Sequence, residues 1–209
     1  MAIYVYNRKA SRGGTDILRV IAGVARGRKL KNIRGLCIRP PLDQVKESTF
    51  DILGHLVQDA QVLDLFAGTG SLGVEALSRG CQRVIFVDKD ERAVRLVEEN
   101  LERVGLADPQ RATVLKMDAL AAVRYLDQRG EKFDLIFVDP PYKIGKGILE
   151  ALFYLLSTTD VLKDEGEIIL KIPLARRQEM TPAHFSPIKE RRFGQSTVLF
   201  LSRKPRSCS

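Results

Sequence analysis

From residue 61 onward the chain alternates short apolar runs with longer stretches of helical spacing. The runs Val62–Phe66, Arg83–Val87, Thr113–Leu115, Phe133–Val138 and Glu167–Ile172 are rich in Val, Ile, Leu and Phe and predict strands. The stretches between them, 71–79, 91–104, 119–129 and 146–159, predict helices. In the second of these, Ala93, Val94, Val97, Leu101 and Val104 recur at helical intervals with charged residues between them. Strand–helix alternation of this kind implies an α/β fold, a doubly wound and mostly parallel sheet with helices on both faces. Right-handed crossovers then bring the C-terminal ends of the parallel strands to one edge, where ligands bind. The last apolar run, Ser196–Ser202, follows Phe193-Gly194 with no helix before it. With Ile188–Arg192 it predicts a C-terminal antiparallel hairpin, for about seven strands in all. Ahead of the first strand, residues 40–56 predict a helix that starts after Pro41 and turns Val45, Phe50, Leu53 and Leu56 inward.

The chain has 209 residues, enough for one large domain or a domain with an appendage. No apolar stretch approaches the roughly 20 residues of a membrane span, and the first nine residues become charged too soon for a secretory signal. Cys37, Cys81 and Cys208 are odd in number, scattered and not in metal-ligand spacing, which predicts a reducing, cytoplasmic setting and no metal site. The charge changes this picture most. The net +8 is segregated: residues 1–40 hold ten Lys/Arg and one acid, residues 41–175 sixteen against twenty-three, and residues 176–209 eight against two. A mildly acidic body with two basic ends suits a polyanionic partner, because Lys/Arg contacts to phosphates release counterions. The run Arg19–Leu30, with Gly23 and Gly27 among apolar and basic residues, predicts a small hairpin displaying cations. The expected organisation is a basic N-terminal extension over 1–40, carrying the hairpin appendage, and a main domain over 41–209 led in by its helix.

Candidate chemistry gathers at the predicted ligand edge. Gly68, Gly70 and Gly73 form G-x-G-x-x-G at a strand-to-helix junction, where glycine allows a sharp turn and close backbone approach. Asp88 ends the next strand, placed to accept from ribose hydroxyls. This much fits a dinucleotide as well as another nucleoside cofactor. Asp64, just before the turn, opposes a pyrophosphate and suits a cationic amino-acid group such as that of S-adenosylmethionine. Asp118 ends a third strand. It can take the amino group of adenine or cap the following helix. The candidate cofactor residues are therefore Asp64, Phe66, Ala67, Gly68, Gly70, Asp88, Lys89, Asp118 and Ala119. The sharpest signal is Asp139-Pro140-Pro141-Tyr142 directly after a buried strand. Two prolines end the ladder and fix a rigid turn. A carboxylate and a carbonyl there can accept both hydrogens of a planar exocyclic amine, while Tyr142 stacks on the base that carries it.

These motifs resemble class I S-adenosylmethionine-dependent methyltransferases, whose fold is Rossmann-like, and the tetrapeptide marks those that act on amino groups of bases. From about Leu18 to Arg203 the chain is similar to the RsmD family of 16S rRNA guanine-N2 methyltransferases. The similarity lies in Arg19-Val-Ile-Ala-Gly23, Gly27-Arg-Lys-Leu30, Arg39-Pro40, Asp43-x-Val45-Lys-Glu47 with Phe50, Asp64 to Gly70, Phe86-Val-Asp88, Asp139 to Tyr142, and Arg192-Phe-Gly194 with Thr197. The resemblance implies Asp64, Gly68, Gly70, Asp88 and Asp118 at the cofactor, Asp139 to Tyr142 at the target base, and a small-ribosomal-subunit rRNA substrate. Arg19, Arg26, Arg28, Lys29 and Arg39 are the candidate RNA contacts, and a monomer is expected. Pro41-Leu42 departs from the family's Thr-Thr after Arg-Pro, and the acidic–Lys pair expected near Lys171 is absent. An adenine-N6 methyltransferase, an NAD-dependent oxidoreductase and a non-catalytic RNA-binding module are the alternatives. The length leaves little room for a separate DNA-reading domain, and the intact Asp139–Tyr142 segment disfavours the binding module.

Overall fold

The computed structural model describes residues 18–32, 42–179 and 182–204. Arg39, Cys37 and Cys208 lie outside the described residues. The sheet has seven strands: β1 (Gln61–Leu65), β2 (Arg83–Asp88), β3 (Ala112–Lys116), β4 (Phe133–Val138), β5 (Leu162–Pro173), β6 (Phe185–Phe193) and β7 (Ser196–Arg203). Their order is β3-β2-β1-β4-β5-β7-β6. The first five run parallel, and β7 is antiparallel to both β5 and β6. The helices are α1 (Leu42–Leu53), α2 (Ser71–Ser78), α3 (Glu91–Arg103), α4 (Ala119–Gln128) and α5 (Lys146–Thr158). This is the expected doubly wound fold with its closing hairpin, and the strand and helix boundaries follow the apolar periodicity closely. Strand β5 is the exception. It starts at Leu162, earlier than its apolar core suggests, through the polar stretch Lys163-Asp-Glu-Gly166 and an irregularity opposite Phe133 to Leu135.

Two hydrophobic layers sandwich the sheet. On one face α4 and α5 pack Ala122, Val123, Leu152 and Leu156 against Leu63, Ile136 and Leu170. On the other, α1, α2 and α3 pack Phe50, Leu77, Val97 and Leu101 against Val62, Val84, Phe86 and Phe137. Leu18, Val20, Ala25 and Leu30 of the N-terminal segment belong to this second layer. The segment forms the expected small hairpin, with an antiparallel bridge between Arg19 and Lys29 and backbone bonds from Val20 N–H to Arg28, Gly27 N–H to Val20 and Leu30 N–H to Leu18. It lies as a strap along α2 and α3. Glu75 of α2 accepts from the amides of Ile21 and Ala22 at 2.8 and 2.9 Å. The Ser78 hydroxyl accepts from Ala25 N–H and donates to the Ala22 carbonyl. Asn100 of α3 accepts from Lys31 N–H and donates to the carbonyls of Lys31 and Thr69.

One expected core residue is placed otherwise. Leu56 is 41% exposed and Val57 is buried in its place. The cause is Gly54, whose positive φ of 51° ends α1 and starts a 3₁₀ turn, Gly54–Val57. The left-handed residue breaks the helical phase, and the buried position after Leu53 is Val57.

Candidate active site

Strand order reverses between β1 and β4, which opens a crevice at their C-terminal ends. Leu65 pairs with Val138, so Phe66 and Asp139 leave the sheet side by side. Phe66 takes φ +63°, a left-handed conformation that costs a non-glycine residue energy and marks an over-determined turn. Gly70 caps α2 at φ +74°, where a side chain would be strained. A Cβ on Gly73 would fall 2.2 Å from the Phe86 ring, so α2 can lie this close to β2 only with glycine there.

A cavity of about 270 Å³ opens at this crevice. Its wall brings together Asp64, Phe66, Ala67 and Gly68 from the glycine loop with all of Asp139, Pro140, Pro141 and Tyr142. Gly70, Asp88, Lys89, Asp118 and Ala119 lie outside that wall. Asp88 is one hydrogen bond away, accepting from Gly68 N–H at 2.9 Å with one oxygen and from Asp90 N–H with the other. Asp118 takes the capping arrangement, accepting from Leu120 N–H at 2.9 Å at the start of α4.

Asp64 is fully buried and accepts from Gly73 N–H at 3.0 Å. Burial pushes its carboxyl well above the ordinary carboxylate range. The Gly73 amide pulls the other way, and the neighbouring carboxylates Asp139 and Asp88 add to the rise. Asp139 accepts from the Lys171 ammonium at 2.8 Å. Burial alone would lower Lys171, but the attraction and hydrogen bond of Asp139 outweigh it and hold the ammonium above the usual lysine value. The Tyr142 ring is 46% exposed, and its hydroxyl lies 3.0 Å from the Ser196 hydroxyl.

Three of these side chains were not read as site residues from the sequence. Lys171 is the lone cation in the apolar run Ile168 to Ile172, and that isolation was the signal. Lys46 is only 3% exposed and lines the cavity beside Val45 and Thr49. It donates to the Arg19 carbonyl and to Ser71 Oγ, and sits 3.3 Å from Glu75. Burial lowers its ammonium from the usual value, against the pull of Glu75. Ser196 lines the same wall from β7. Cys81 is buried, which pushes its thiol up to about 12 and removes it from thiolate chemistry.

The N-terminal cations are placed unequally. Arg19 reaches Asp43 of α1 at 3.0 Å, near the Lys46 contact. Arg26 and Arg28 lie at the other end of the helices. Val24 N–H bonds the Ser78 carbonyl at the C-terminus of α2, and the Arg28 guanidinium donates to the Val104 carbonyl at the C-terminus of α3. Lys29 is exposed beside them, its carbonyl accepting from Arg103.

A family model described as "Conserved hypothetical protein 95" matches residues 18–202. The ribosomal RNA small subunit methyltransferase D of Escherichia coli strain K12 is 33% identical over 197 residues, 94% of this chain and 96% of its own length. YlbH of Bacillus subtilis, named as a candidate rRNA methyltransferase, is 43% identical over 152 residues, 73% of this chain and 80% of its own. Among solved structures, the E. coli protein yhhF, described as a candidate methyltransferase, is 31% identical with a TM-score of 0.77, covering 90% of this chain and 99% of that one. With the glycine loop and the Asp-Pro-Pro-Tyr turn meeting at one cavity, and with similarity over nearly its whole length, the chain belongs to the RsmD family, an enzyme family within the class I S-adenosylmethionine-dependent methyltransferases.

Proposed function

We propose that this enzyme transfers a methyl group from S-adenosylmethionine to the exocyclic N2 amino group of a guanine in 16S rRNA. The observation that carries the reading is the rigid Asp139–Tyr142 turn sharing one cavity wall with the glycine loop. The substrate form we infer is the small ribosomal subunit or an assembly intermediate, and the enzyme acts as a cytoplasmic monomer. Among the described residues no helix is long and apolar enough to cross a membrane.

The residues fit the cofactor. S-adenosylmethionine, when bound, supplies an electrophilic methyl group on a sulfonium. Asp64, buried and without a cationic partner among the described residues, would hold the ammonium. Lys46, a buried ammonium on the same cavity, would face the carboxylate. Asp88, already fixed by two amides, would accept from the ribose. Asp118 would mark the adenine end of the same edge. On the substrate side, Asp139 and the Pro140 carbonyl accept the two amine hydrogens. This draws the nitrogen lone pair out of conjugation with the ring and towards the methyl group. Tyr142 provides a stacking face for the base. Substitution at the methyl carbon then needs positioning and electrostatics, and no covalent enzyme intermediate. The cations Arg19, Arg26, Arg28, Lys29 and Arg39 are assigned to RNA contacts.

The test is transfer of labelled methyl to small ribosomal subunits from a strain lacking the enzyme, followed by nucleoside analysis of their 16S rRNA. The expected product is N2-methylguanosine; N6-methyladenosine, or no transfer, overturns the assignment. Asp139→Ala should lower kcat by roughly 10²–10³-fold, the scale of losing one preorganised electrostatic group, with S-adenosylmethionine affinity retained.

A further inference from the structure

The ligand edge of the sheet is divided by charge. In the segments that leave β1, β2 and β3 (residues 64–70, 88–91 and 116–118) there are five carboxylates, Asp64, Asp88, Asp90, Glu91 and Asp118, against Lys89 and Lys116. In those that leave β4, β5 and β6 (residues 139–146, 173–179 and 190–195) the balance inverts. Six cations, Lys143, Lys146, Arg176, Arg177, Arg191 and Arg192, face three carboxylates. The division falls at the switch point, so the cavity has an acidic flank on one side and a basic flank on the other.

The basic flank is built rather than scattered. Glu190 accepts from Arg177 Nε at 3.1 Å with one oxygen and from Arg192 Nε at 2.9 Å with the other. One carboxylate thus orients two guanidiniums and leaves the group net positive. The Arg191 guanidinium donates to the Glu190 carbonyl at 3.0 Å. The 3₁₀ turn after β5, Leu174–Arg176, ties this group to the target-base turn: Arg176 donates to the carbonyls of Tyr142 and Ile144 at 3.2 and 2.8 Å. Leu174 N–H bonds the Gln195 carbonyl of the β6–β7 turn. Phe193 and Ser196 of the same hairpin line the cavity. Arg191 is exposed and the Arg192 side chain is 67% exposed.

We propose that this end of the C-terminal hairpin, through Arg177, Arg191 and Arg192 with Lys143, grips the RNA backbone beside the nucleotide whose base enters the cavity. The proposal rests on RNA being the methyl acceptor. A polyanion with one base turned out onto Tyr142 needs its flanking phosphates neutralised within a nucleotide or two. Arg26 and Arg28 of the N-terminal segment do not meet that need. They sit at the far ends of α2 and α3, and the 13 residues of α3 alone set Arg28 about 20 Å from the ligand edge.

The test uses the full chain with Arg191→Glu and Arg192→Glu together. Binding of small ribosomal subunits from a strain lacking the enzyme is measured across a salt titration, beside calorimetric titration of S-adenosylmethionine. The expected result is at least tenfold weaker RNA binding and a log–log salt slope shallower by about 1.5, as for two lost phosphate contacts, with cofactor affinity within twofold. Unchanged RNA affinity and slope overturn the proposal. If the reversal also abolishes cofactor binding, the milder pair Arg191→Gln and Arg192→Gln decides by the same criteria. A wild-type chain that fails to bind the subunits refutes the acceptor assignment itself and the grip with it, a failure visible before any variant is made.

Discussion

At the scale of single residues the site is a set of charges placed out of water. Lys171 and Asp139 form its most consequential pair, because Asp139 carries the assigned chemistry and Lys171 fixes one of its oxygens at 2.8 Å. Lys171→Met removes a charge-assisted hydrogen bond worth about 1.5–3 kcal/mol. The expected result is a fall in kcat of roughly tenfold or more, with S-adenosylmethionine affinity unchanged by calorimetry. An unaltered kcat would show that Asp139 holds its position without help. Asp64 gives a pH signature. Its folded-state value is raised, so between the ordinary carboxylate range and that raised value the folded protein holds a proton that the unfolded chain has released. Stability of the ligand-free protein therefore falls as pH rises through that window. A cationic ligand favours the carboxylate, so S-adenosylmethionine affinity should rise with pH over the same window and release a proton on binding. Calorimetry in buffers of different ionisation enthalpy checks this, and Asp64→Asn should flatten the profile. Asp139 was legible in sequence because two prolines after an apolar strand have few other uses. Lys46 and Lys171 were not, because periodicity tells which face a residue takes but not that a charged side chain on an inner face has a cavity to line.

At the scale of elements, nearly every strand and helix of the main sheet could be read from apolar spacing, since both faces of the sheet are buried and each helix has one apolar stripe. Spacing failed where backbone conformation decided. Gly54 ends α1 and turns Leu56 outward. Residues 19–30 read as a small hairpin displaying cations, and that hairpin forms; what the local pattern did not show is its docking, in which Leu18, Val20 and Leu30 supply core surface and Glu75 and Ser78 take up the amides. These partners lie more than fifty residues away in sequence, beyond any local pattern. Gly23 is the tightest point of this strap. It has φ +80°, and a Cβ there would lie 1.8 Å from the Ser78 carbonyl oxygen. Gly23→Ala combines left-handed strain with a collision against backbone, and should cost about 2–3 kcal/mol. The measurement is thermal unfolding, with a fall in Tm of roughly 4–12 °C expected for a chain of this size.

At the scale of the whole molecule, the net +8 conceals the arrangement that matters. The charge blocks along the sequence were countable, but their placement depends on topology. The C-terminal block arrives at the cavity because β6 and β7 append to β5, whereas the tip of the N-terminal strap lies at the opposite edge. Reversing Arg26, Arg28 and Lys29 together should therefore raise KM for rRNA several-fold while leaving kcat at saturating RNA near wild type. A fall in kcat would place those cations closer to the reacting base than α3 allows. The Glu75 anchorage has a consequence for how the molecule is made. Glu75 is wholly inaccessible and receives Ile21 N–H, Ala22 N–H, Arg79 and Lys46, so its charge is matched only when the strap, α1 and α2 are all in place. Residues 18–30 are synthesised before α2 but cannot dock until it exists, and the loop that must close is more than fifty residues long. The strap is thus made before the helices it rests on and settles after them. Until it docks, Glu75 and the apolar patch on α2 stand open to solvent, so nascent chains are most open to proteases and chaperones in that interval.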